Sequence, residues 1–74
     1  MMGTLRHIRN LAMDCETKAS WARNCSMESN RMAAMAIMRK QIEAANGCRM
    51  FANEMEAVAD LLDRASDELR RGQE

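Results

Sequence analysis

The sequence has no proline and no tyrosine, and only one phenylalanine, one tryptophan and three glycines in 74 residues. Each shortage excludes something. Without proline, nothing in the chain forces a helix to stop. The scarcity of aromatic and β-branched side chains argues against a strand-rich fold. Three scattered glycines supply no phosphate-cradling loop. The 11 basic and 11 acidic residues cancel, so the strong basic footprint of a nucleic-acid binder is missing. The longest apolar run, Met32 to Met38, falls far below the ~20 residues that a membrane span requires. Near the start, Arg6, His7 and Arg9 precede only Leu11-Ala12-Met13 before Asp14, so no signal peptide is expected. The cysteines, Cys15, Cys25 and Cys48, are odd in number and widely spaced. They read as reduced thiols of a cytoplasmic protein, not as a disulfide framework.

What the chain does have is alanine and methionine. Of its 47% hydrophobic residues, 12 are alanine and 9 are methionine, whereas leucine, isoleucine, valine and phenylalanine together number 10. A small domain built from such side chains has a weak core of its own. With no disulfide or metal motif to staple it, homo-oligomerisation is the expected source of stability.

The fold class expected is all-α, either a three-helix bundle or a helical hairpin, packed as a homodimer. Residues 1–74 form one domain, with helices expected over about 4–22, 27–45 and 49–70. Two interruptions set those bounds. Arg23 to Asn30 is rich in Ser and Asn, which compete for backbone hydrogen bonds, and Asn46-Gly47 can close a helix. Gly47 either breaks the rod or only bends it. The ends, particularly Gly72-Gln73-Glu74, are expected to fray.

Each expected helix carries an apolar stripe. The first has Leu5, Ile8, Ala12, Cys15, Ala19 and Ala22 at 3-4 spacing, with Met13 and Trp21 off it. The second has a seam of Met35, Met38, Ile42 and Ala45, and further alanines spread apolar surface around it. The third carries the cleanest heptad, Cys48, Phe51, Met55, Val58, Leu62, Ala65 and Leu69, widened by Met50 and Leu61.

Catalytic constellations are missing. His7 is the only histidine, and it lies roughly 80° around the helix from Cys15. The cysteines and His7 lack zinc-ligand spacing. No catalytic, cofactor-binding or metal-binding residues are therefore assigned, no cofactor is expected, and the protein is not expected to be an enzyme.

Two features point towards partner binding. Glu56, Asp60, Asp63 and Asp67, spaced 4-3-4, form an acidic stripe on one face of the third helix. It is either a solvated outer face or a docking surface for a basic partner. The second feature is apolar: Trp21, Met32, Met35, Met38, Phe51, Met55, Leu61 and Leu62 form the candidate interface. Methionine-rich surfaces adapt to partners of different shape, and Trp21 either anchors that interface or caps the bundle.

The function expected is that of a small non-catalytic helical protein, an inhibitor, adaptor or regulator of a protein partner. Motif-free helical chains of this kind are frequent in bacteriophages and other mobile elements. The competing expectations are a nucleic-acid-associated regulator using the basic N-terminal helix, and a small structural subunit of a helical assembly. Nucleic acid is not the favoured partner, because the acidic third helix repels phosphates.

Overall fold

The computed structural model describes residues 2–72 and is a helical hairpin of two elements, α1 (Met2–Met38) and α2 (Ile42–Arg71). No strand occurs among the described residues. The all-α expectation holds in its hairpin form: the expected first helix and most of the second run together as α1, and the expected third lies within α2. The rod measures 58 × 13 × 12 Å.

The helices are held together by the smallest side chains in the chain. On α2, Ala45, Ala52, Ala59 and Ser66 recur every seven residues, and each is at most 1% exposed. On α1 two interleaved sevenfold series are buried: Ala12, Ala19, Ser26 and Ala33, and then Ala22, Ser29 and Ala36. A strict seven-residue repeat makes the pair a supercoiled coiled coil. Ala19 and Ala22 pack with Ala59, flanked by Met55 and Leu62. Nearer the turn, Ala33 and Ala36 pack with Ala45, flanked by Cys48. Among the described residues the largest fully buried side chains are Ser26 and Ser66. Such small contacts let the backbones approach closely. Subtracting a helix radius of 2.3 Å at each side of the cross-section leaves about 8 Å between axes, the close end of the usual 8–10 Å.

The boundaries depart from the sequence expectation for physical reasons. The segment Arg23 to Asn30 is helical throughout. Ser26 and Ser29 sit in the seam, where a small side chain is required, and tertiary contact overrides their preference for caps. No buried side-chain nitrogen or oxygen among the described residues lacks a hydrogen-bond partner. Gly47 neither ends nor starts an element; it lies inside α2.

The chain turns instead at Arg39-Lys40-Gln41. The N–H of Lys40 donates to the Ile37 carbonyl (2.9 Å) and that of Gln41 to the Ala36 carbonyl (2.8 Å). This pair of bonds is the Schellman closure, and its left-handed position is held by Lys40 at φ 61° in place of the usual glycine. Gln41 then opens α2, accepting from the N–H of Ala45 at 3.0 Å. Gly72 donates to the Glu68 carbonyl at 3.0 Å and closes the described part of α2. The fraying expected of Gln73 and Glu74 concerns residues outside those described.

Candidate functional site

A seam of alanine and serine leaves the larger apolar side chains outside it, and on α2 most of them fall to one side. On α2, Cys48, Met55, Leu62 and Leu69 follow three residues after the seam positions and are half-buried. Phe51 and Val58 lie one step further round and are exposed. The heptad read from the sequence is therefore real as a pattern. It is displaced from the line that α1 covers, so it forms the shoulder and open side of α2. Leu61 lies at the outer edge of this side and is exposed.

On α1 the first stripe is buried at Ala12, Ala19 and Ala22, half-buried at Ile8 and Cys15 and exposed at Leu5, and the buried line continues past Ala22 to Ala36. The seam expected around Met35, Met38 and Ile42 is not buried: all three are exposed, Met38 by 84%. Met35 stands round the helix from the true line of Ala33 and Ala36, Met38 lies on the face away from it, and Ile42 lies just past the turn. Trp21 is 60% exposed in the middle of a continuous helix, so it caps no bundle end.

Near the turn the two helices share an open groove of about 220 Å³. Met32 and Met35 stand on one bank, Ala44 and Cys48 on the other. The groove shows that Met32 and Met35 of α1 and the apolar stripe of α2 that begins at Cys48 face the same way. Of the candidate interface, Met32, Met35, Phe51, Met55 and Leu62 share this side. Trp21 borders it on α1, Leu61 borders it on α2, and Met38 stands at the turn end.

The opposite side is polar and cross-linked. Arg23 forms an ion pair with Asp60 at 3.6 Å and a second, closer one with Asp63. The hydrogen bond to Asp63 is the main cause that raises the Arg23 guanidinium above its ordinary pKa. Burial opposes it, and the charges of Asp63, Asp60 and Glu56 reinforce it. Glu16 Oε1 accepts from Ser66 Oγ and from Arg70 Nε, both at 2.9 Å. Arg71 pairs with Glu68 at 3.3 Å. The four residues of the acidic stripe thus lie on this side, with Asp60 and Asp63 engaged by α1 and with Glu56 and Asp67 exposed.

Elsewhere the side chains are dispersed. His7 is exposed, and Cys15, Cys25 and Cys48 are half-buried free thiols. Among the described residues no three His, Cys, Asp or Glu side chains are grouped to hold a metal ion. Among the described residues no helix is long and apolar enough to cross a membrane. A shallow groove near the start of α1 is lined by Gly3, Leu5, Arg6, Arg9, Asn10 and Met13. All six belong to one helix, so no second element walls it. Compared with protein-family models, curated proteins and solved structures, the chain matches none.

Proposed function

We propose that this is a small non-catalytic helical protein that works by protein–protein contact, as an inhibitor, adaptor or regulator of a partner, and that it does so as a homodimer. One observation carries the reading. The intrachain seam uses only small residues, while Phe51, Val58, Leu11 and Met32 stand exposed on one side of the rod.

The surface area supports it. A folded monomer of 8.4 kDa exposes about 4,600 Å² by the usual scaling, whereas this hairpin exposes 5939 Å². The surplus, about 1,300 Å², exceeds the ~800 Å² that each partner contributes to a standard interface. The two sides divide the work. The apolar side serves self-association, and the polar side, with Glu56 and Asp67 exposed, offers negative charge to a basic protein partner.

Analytical ultracentrifugation tests the homodimer. The expected result is a species of twice 8.4 kDa at micromolar concentration that dissociates on dilution. A fully helical, cooperatively melting monomer at that concentration overturns it. The partner-facing half is tested by Glu56→Lys with Asp67→Lys. Once a partner is in hand, this variant should keep the fold and lose that partner, and unchanged binding returns the stripe to a solvated surface.

A further inference from the structure

We propose that the second copy lies antiparallel on the apolar side, with its first helix stacked on α1, its second on α2, and the two-fold axis midway between Trp21 and Cys25. This rests on the homodimer reading above and specifies how the two copies meet.

The argument starts from helical geometry. The α1 surface beside the seam, on the side of the methionine groove, carries a second 3-4 stripe. It runs through Leu11, Asp14, Lys18, Trp21, Cys25, Glu28, Met32 and Met35. Its spacing is symmetric about its own midpoint. An antiparallel two-fold there brings Leu11 of one copy level with Met35 of the other, Trp21 level with Cys25, and Lys18 level with Glu28. The charges thus meet as two opposite-sign pairs, related by the axis. Asp14 falls level with Met32 of the other copy, and its charge is met one turn away by Lys18 of its own helix.

The α2 stripe does not choose a register, because from Cys48 to Leu69 it is apolar throughout. The charges of α1 do choose. In the alternative dimer, with both turns at one end, α1 stacks on the second helix of the other copy. Lys18 would then lie at the level of Leu62, which packs beside Ala19. There no acid of the other copy meets Lys18, and both cross-copy pairs of the antiparallel form are lost.

The apolar length also fits. From Leu11 to Met35 the stripe rises about 36 Å. Two helices side by side present a face about 20 Å wide once side chains are included, so the face is about 700 Å². That approaches the ~800 Å² per partner of a stable complex.

Zero-length carbodiimide coupling of the unmodified protein tests the geometry. Lys18 and Glu28 are ten residues apart on one helix, about 15 Å, so they cannot be joined within a chain. A Lys18–Glu28 amide in the dimer band, found by peptide mass spectrometry, is the expected product. Sedimentation gives the second arm. Lys18→Glu should raise the dimer dissociation constant by about tenfold or more. Adding Glu28→Lys should return it to within about threefold of the original. A dimer that yields no such amide, and whose double variant is no tighter than the single one, overturns the antiparallel arrangement and leaves the homodimer standing. A monomeric protein overturns both.

Discussion

Ala22 of α1 packs against Ala59 of α2, and neither side chain exposes any surface. This contact sets the character of the molecule. Where two alanines meet there is no room for a third methyl group, and larger side chains must lie beside the seam. Ala59→Leu should therefore force the helices apart, although leucine is nearly as good a helix former as alanine. Overpacking of this kind costs about 1–3 kcal/mol. For a chain of this size, each kcal/mol lowers the melting temperature by about 4–8 °C. Thermal unfolding followed by circular dichroism measures it, and an unchanged melt would mean that the helices are not in close contact at this level.

Glu16 makes the other interhelical contact with an asymmetric consequence. Its Oε1 accepts from Ser66 Oγ, and Ser66 is 1% exposed. Removing the serine hydroxyl removes donor and need together, so Ser66→Ala should cost little. Removing the carboxylate strands a buried hydroxyl and frees Arg70. Glu16→Ala should cost about 1–2 kcal/mol. In urea titrations the double variant should be less stable than Ser66→Ala but no worse than Glu16→Ala alone. Equal costs for the two single variants would show that the hydroxyl finds another acceptor.

Gly47 lies in the interior of α2, and a Cβ built there meets no atom within 4 Å. Glycine in a helix interior costs roughly 0.5–1 kcal/mol relative to alanine. Gly47→Ala should raise stability by about that amount, seen as a higher urea midpoint with an unchanged slope. A helix break at Asn46-Gly47 requires the opposite sign, so a lower midpoint would relocate the turn.

These outcomes mark what was legible in the sequence. The helical class follows from the missing proline and the scarcity of strand formers, and the first stripe of α1 marks the buried line from Ala12 to Ala22. The seam of the hairpin is obscured by residue type. Hydrophobic periodicity gives weight to large side chains, and Phe51, Val58 and Leu62 form a better heptad than Ala45, Ala52, Ala59 and Ser66. Yet the smaller series is the one that α1 covers, because close approach of two backbones selects small residues. The two series are one heptad position or two apart, which turns a buried face into an open one. The exact sevenfold recurrence of Ala and Ser was the available signal. The acidic stripe is legible as one face of its helix, but the pairing of Asp60 and Asp63 with Arg23 depends on a register across the hairpin that no local pattern encodes. Ser26 and Ser29 misled in the same way, since a residue that favours caps also fits a tight seam.

The turn is the position that sequence reasoning had least means to find, because Arg39-Lys40-Gln41 contains no glycine, asparagine or proline. Lys40 holds φ 61° where the Schellman closure normally takes glycine. An L side chain in this left-handed region costs about 1–2 kcal/mol. Glycine relieves that strain but adds freedom to the unfolded chain, so Lys40→Gly should stabilise the hairpin by a net of about 0.5–1 kcal/mol. Lys40→Val, β-branched and poorly tolerated at positive φ, should destabilise it by a similar amount or more. Chemical denaturation of the three proteins should give midpoints in the order glycine, lysine, valine. If the turn lay elsewhere and residue 40 were helical, glycine would become the less favourable residue and its position in that order would invert.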